Sequence, residues 1–266
     1  MGVFKSVEKF FNGFNGKKGV LGYSLKEKPI YYLAVNKTAY PKMIFTYAIH
    51  AREYVTAYLA LKQIKRFVRH AKYGTAYFIP LVNPDGVEIA ENTDRLYKAN
   101  GRGVDLNVNF DARWGTGEKN VFVSGAENFI GGKPFSEPET MALRDFTLLV
   151  NPDITFSYHS KGEEIYWEFF QTDERKEKDL AIAEKVAKIT GYIIKGTPNS
   201  AGGYKDWCIE KLKIPALTIE VGNDNLTHPI KKRHVYRIYR KNKRVPEEIG
   251  EYLWRKNAVK VYETGD

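Results

Sequence analysis

Continuous apolar runs alternate along this chain with stretches whose apolar residues fall at helical spacing, and four of the runs predict strands. "KMIFTYAI" (42–49) is a buried strand; from Ala51 the pattern shifts, with Tyr54, Ala57, Tyr58, Leu61, Ile64 and Val68 on one helical face. "TAYFIPLV" (75–82) is a second strand, ended by the turn formers "NPDG". "SEPETMALRDFTLLV" (136–150) opens like a capping box, Ser136 with Glu139, and continues as a helix. "DITFSYHS" (153–160) is a third strand, "DLAIAEKVAKITG" (179–191) a helix closed by Gly191, and "IPALTIEVG" (214–222) a fourth strand. Strands that are apolar throughout and alternate with helices predict a mostly parallel sheet covered on both faces.

Two stretches break the pattern. Residues 83–135 hold "NPDG", "NGRG", "WGTG" and "GGKP", and 196–206 reads "GTPNSAGGYKD". Loops this long in a compact domain are usually functional. The chain shows no internal repeat, low-complexity tract or long linker, so a single domain over residues 1–266 is expected.

Composition narrows the class. A chain of 266 residues, 43% hydrophobic, can bury a full core. No apolar run is long enough to span a bilayer, so no membrane partner is expected. Lys5, Glu8 and Lys9 interrupt the first twenty residues, which do not form a secretory signal; a cytoplasmic location is expected, although a secreted chain trimmed of its leader would read the same. "MGVFKS" fits only a loose myristoylation pattern. The single Cys208 excludes an internal disulfide and reads as a buried structural thiol. The net charge is +10, and the segment Lys231–Arg244 carries eight Lys and Arg without an acid. That basic segment is either a solvated helix face or a patch for an anionic polymer; no RNA- or DNA-binding motif accompanies it, and no specific nucleic-acid partner is expected.

The candidate chemistry lies at strand ends. His50 follows the first predicted strand, His159 ends the third and Glu220 ends the fourth, which gathers three polar groups at the carboxyl edge where open α/β sheets bind ligands. Catalytic zinc takes three protein ligands and leaves a position for water. His50, Glu53 and His159 would supply such a set, with Glu220 free to act as general base. By spacing alone, "HARE" is equally a strand end whose histidine sits beside a surface glutamate.

Several motifs in one order carry a resemblance. "HARE", "NPDG", "GVDLNVNFDARWG", "SEPET", "YHS" and "GGYKDW" followed by "TIEVG" resemble the successive motifs of the zinc carboxypeptidases related to pancreatic carboxypeptidase A, over roughly residues 20–225. "RLYKANGRGVDLN" and "GTPNSAGGYKDWCI" look closest to the γ-D-glutamyl-L-diamino acid peptidases, which cut peptidoglycan stem peptides in bacteria. The resemblance implies a three-layer α/β/α fold around a twisted, mixed, mostly parallel eight-stranded sheet, and one Zn²⁺ per chain held by His50, Glu53 and His159. It implies Glu220 as general base, and Arg52 and Asn107 as substrate-binding residues.

The departures from that pattern bear on the substrate. Val108 stands where the family keeps the arginine that clamps a C-terminal carboxylate, and a valine cannot bind an anion. Lys98 falls where the family places the arginine that holds the oxyanion, with Arg102 as the other candidate. Pro198 occupies the place of the family's mobile tyrosine, for which Tyr204 is the nearest substitute. Lys205 replaces the residue at the floor of the specificity pocket, where a cation would favour an anionic partner such as diaminopimelate or γ-linked D-glutamate. The reading is a zinc metallopeptidase acting on an anionic peptide or muropeptide. A general carboxypeptidase is the alternative within the family, and a catalytically silent module that binds wall fragments is the alternative outside it.

Overall fold

The computed structural model describes residues 1–196 and 198–263, with side chains through residue 258. Helix α1 (Val3–Asn12) leads into a hairpin of β1 (Lys17–Tyr23) and β2 (Pro29–Asn36), followed by β3 (Lys42–Tyr47), α2 (Val55–His70), β4 (Thr75–Ile79) and α3 (Pro84–Asn92). Then come α4 (Pro138–Val150), β5 (Ile154–His159), β6 (Glu164–Tyr166), α5 (Asp173–Thr190), β7 (Ile193–Lys195), α6 (Tyr204–Glu210) and β8 (Ala216–Glu220), and last α7 (Val235–Asn242) and α8 (Val245–Glu263). No described helix is long and apolar enough to cross a membrane.

The eight strands form one mixed sheet in the order β1-β2-β4-β3-β5-β8-β6-β7. Its centre, β4-β3-β5-β8, is parallel, and antiparallel pairs enter on either side through β2 and β6. Alternation along β3 and β5 builds the two outer layers. Met43, Phe45, Tyr47, Phe156 and Tyr158 pack with residues of α2, α5, α7 and α8, while Ile44 faces the layer of α4 and α6. Stacked rings join neighbouring strands, with Phe45 over Phe156 at 4.9 Å and Tyr47 over Tyr158 at 4.9 Å. The α/β/α fold expected from the motifs is the fold observed.

Two local expectations change. "NPDG" starts α3 instead of closing a turn: Asn83 is its N-cap, accepting from the Gly86 amide at 2.9 Å, and Pro84 takes the first helical position where a missing N–H costs nothing. Helix α4 is capped by Glu137 and begins at Pro138, with no side-chain cap; Ser136 donates to the Glu137 carboxylate, so the capping box read from Ser136 and Glu139 does not form.

Candidate active site

His50 lies three residues past the end of β3, and Ala51–Glu53 forms a single 3₁₀ turn before α2. Residues three apart eclipse on a 3₁₀ turn, so the H-x-x-E spacing aims both side chains at one point. Thr56 holds the turn, donating to the Glu53 carbonyl at 2.8 Å and accepting from the Ala48 amide at 2.9 Å. His159 ends β5 in register with Glu220, the last residue of β8. Parallel pairing of central strands thus brings the predicted groups to one edge.

The result is a buried trio. The Nδ1 atoms of His50 and His159 stand 3.1 Å apart, and Glu53 bridges them, Oε1 at 2.9 Å from His50 and Oε2 at 3.1 Å from His159. The ligand-capable atoms of all three lie within 4.8 Å of one another. Each ring's other nitrogen is occupied: His50 Nε2 donates to the Asp105 carboxylate Oδ1 at 3.1 Å, and His159 Nε2 lies in hydrogen-bond contact with Ser157 Oγ at 3.0 Å. Both Nδ1 atoms therefore face the trio, where a metal would take their lone pairs, and the outer partners on Nε2 are the arrangement that orients zinc-binding histidines. Three inward nitrogen and carboxylate donors, one short of tetrahedral closure, fit a catalytic zinc site.

Electrostatics follow from burial and pairing. Burial would lower the His50 pKa, but Glu53 and Asp105 outweigh it and bring it to about 9. Burial would raise Glu53, yet the two histidines hold it well below the usual carboxylate range. His159 is lowered, chiefly by burial. Glu220 lies well above the ordinary value, through burial first and the charge of Glu53 second, and its Oε2 is shut off from solvent with no hydrogen-bond partner among the described residues.

Beside the trio opens a cavity of about 370 Å³ lined by His50, Lys98, Asp105, Asn107, Val108, Tyr166 and residues of the 117–120 and 198–201 loops. Lys98 is fastened into it: its carbonyl accepts from the Ala51 amide at 2.9 Å, and its ammonium meets Asp105 Oδ2 at 2.7 Å and Asn128 Oδ1 at 2.6 Å. Burial would lower its pKa, but Asp105 dominates and holds it raised. Asn107 lines the cavity and accepts from the Tyr204 amide at 3.3 Å. Val108 leaves an uncharged patch beside it. Gly202, at φ +84°, brings the 198–201 loop against Val108; a Cβ there would sit 2.8 Å from the Val108 carbonyl oxygen.

Other predicted residues lie elsewhere. Arg102 points toward Glu137, 3.8 Å away, with its side chain half exposed, and does not line the cavity. Arg52 is engaged by the Leu96 carbonyl and Glu127. Tyr204 is fully buried on α6, its ring against Phe110 and its hydroxyl 2.9 Å from that of Thr147, so it does not reach the cavity as a stand-in for the mobile tyrosine. Lys205 is also buried; its ammonium is spent on the Glu168 carbonyl at 2.9 Å and on Asp206 at 2.5 Å, which leaves no open cation on a pocket floor. Cys208 is buried and burial pushes its thiol up to about 12, as a structural role requires.

Several contributors escaped the sequence. Asp105 sits inside the quoted "GVDLN" motif, yet nothing in the spacing shows that it joins His50 to Lys98. Tyr166, with its hydroxyl on Glu164, is the phenol that lines the cavity. Lys119 lines it too, exposed and without an acid partner among the described residues. His228 lies within electrostatic reach of Glu53 and Arg52, with Nδ1 buried and unpartnered among the described residues.

Known proteins resemble this chain in sequence and in fold. The family model described as zinc carboxypeptidase matches residues 17–242. γ-D-Glutamyl-L-diamino acid endopeptidase 1 of Lysinibacillus sphaericus is 27% identical over 246 residues, covering 79% of this chain and 61% of its own length. An uncharacterised Bacillus subtilis protein, YqgT, is 27% identical over 256 residues, 81% of this chain and 68% of its own. This chain therefore spans about three-fifths of the first relative and two-thirds of the second. Among solved structures, bovine thrombin-activatable fibrinolysis inhibitor superposes with a TM-score of 0.82 at 21% identity, over 96% of this chain and 98% of that one. Murein-tripeptide amidase of Escherichia coli O157 gives 0.59 at 21% identity, over 87% and 95%. The family match takes in the trio, Glu220 and every residue of the cavity wall, and the chain belongs to the zinc carboxypeptidase family of metallopeptidases.

Proposed function

We propose that this domain hydrolyses the amide bond between γ-linked D-glutamate and a diamino acid in anionic cell-wall peptides. The observation that carries the substrate is the cavity wall: neutral Val108 stands beside Asn107, the acids Asp105 and Glu118 are engaged by Lys98 and by the Asn199 amide, and Lys119 is the cation unpaired among the described residues. A terminal carboxylate finds no arginine at 108, and an anionic substrate finds its charge partner on the 117–120 loop. The Lysinibacillus relative, named for that bond, supports the same reading.

Zinc held by His50, Glu53 and His159 would supply a Lewis acid for the scissile carbonyl and lower the pKa of a water. Glu220, unpartnered at Oε2, takes the proton of the attacking water and passes it to the leaving amine. Asp105 holds His50 in one tautomer and Lys98 in one place. An ammonium has three donors; Asp105 and Asn128 use two on Lys98, and the third is left for the developing oxyanion.

The test is product analysis. The zinc-loaded chain is incubated with tri- and tetrapeptide stems, Glu220→Gln serving as the blank, and products are identified by mass. Cleavage between γ-D-glutamate and the diamino acid is expected in both. In the tetrapeptide, where a residue follows the diamino acid, release of that terminal residue alone would instead favour a general carboxypeptidase, for which Asn107 in the cavity wall is the supporting observation.

A further inference from the structure

A second cavity, about 950 Å³, lies between α1, the outer face of α2 and the end of β2. It shares no lining residue with the catalytic cavity. Asn36 of β2 pairs with Thr75 at the start of β4, so this end of β2 is at the amino edge of the parallel strands, opposite His50. Val68 and Arg69, in the last turn of α2, reach the same edge.

The groove has two chemistries. Its floor is apolar: Phe10 from α1 and Phe14 just past its end, Val35 from β2, and Leu61, Ile64 and Val68 from α2, the last 41% exposed. Its charged lining is cationic throughout, consisting of Lys9, Lys17, Lys62, Lys65, Arg69 and Lys232 with no Asp or Glu. None of the six is in an ion pair with an acid among the described residues. Three lie against ring faces: the Lys62 ammonium is 5.6 Å from the centroid of Tyr239, that of Lys65 is 5.6 Å from Phe10, and that of Lys232 is 4.3 Å from Tyr58. Their stems cover the walls while their heads stay at the rim.

We propose that this groove binds a single-chain anionic lipid, its acyl chain along the floor between α1 and α2 and its acidic head among the rim cations. The volume is that of a small-ligand site. Charge complementarity demands an anion. A polyanion without an apolar part would leave Phe10, Phe14, Leu61 and Val68 uncovered, and the aliphatic centre of the floor offers bases no hydrogen bonds. Lys232 is the second residue of the basic Lys231–Arg244 segment, which extends the same field along α7.

Calorimetric titration of the zinc-loaded chain with dodecanoate below its micelle concentration tests this. Saturable binding of one chain per protein is expected, strengthening roughly fourfold per methylene from decanoate to dodecanoate. Binding should weaken about tenfold or more in Lys62→Glu/Lys65→Glu/Arg69→Glu, which reverses three charges, two at exposed positions and one half-buried, and in Val68→Trp, which fills the floor. Both variants should keep the zinc content of the parent chain, which reports an intact fold. No saturable binding, equal binding of dodecyltrimethylammonium, or absence of chain-length dependence would overturn the proposal. So would phosphatidylglycerol vesicles or an acidic amphipathic peptide binding where dodecanoate does not.

Discussion

The two cavities differ in what their charges already hold. In the catalytic one Lys98 is locked between Asp105 and Asn128, and His50 between Glu53 and Asp105, so the wall is set before substrate arrives. In the α1–α2 groove six cations surround an apolar floor with no acid among them. Pre-paired charge holds donors still for a transition state, where electrostatic stabilisation needs no reorganisation. Unpaired charge over apolar surface suits equilibrium binding instead. Lys119 is the exception within the catalytic cavity, and its lack of a partner is why it is assigned to substrate.

Substitutions break this contrast in graded ways. His159→Ala should abolish both zinc retention and hydrolysis, since two donors remain of three; metal content and activity measured together should fall together. Lys98→Met should lower kcat by roughly 10²–10³-fold, the effect of losing one oxyanion donor, with little change in KM. A comparable loss in KM alone would make Lys98 a ground-state contact. Zinc affinity should rise with pH: His50 in the metal-free protein is protonated below about pH 9, so binding releases one proton and the affinity gains about tenfold per pH unit from 7 toward 9. A zinc affinity flat over that range would show that His50 does not hold that proton in the metal-free protein. Lys119→Ala should cost about tenfold or more in kcat/KM on an anionic stem peptide, as expected for a charged hydrogen bond, and nothing on the same peptide with its carboxylates amidated. The triple charge reversal in the groove should leave hydrolysis unchanged.

What the sequence makes legible follows from the same physics. β3, β4, β5 and β8 are central and parallel, buried on both faces, and read as unbroken apolar runs. The trio and Glu220 are tied to the ends of those strands, so locating the strands locates them. β6 and β7 are three residues each, and β1 is an edge strand of mixed polarity; none of the three has a period to read. Tyr204 and Lys205 show a different limit. Both belong to a short helix whose burial is decided by Phe110, Thr147 and Glu168 far away in sequence, and a buried lysine reads the same as an open one until its partners are placed. Asp105 and Lys119 lie in loops, where distance along the chain says little about which side chains meet.

The central claim is that His50, Glu53 and His159 hold the metal while Glu220 moves the proton. It is tested most directly by measuring zinc stoichiometry and stem-peptide turnover on Glu220→Gln beside the parent chain. One zinc per chain in both, with kcat of the variant lower by about 10²–10⁴-fold, is the expected result. Zinc lost with the substitution, or turnover retained without Glu220, would contradict it.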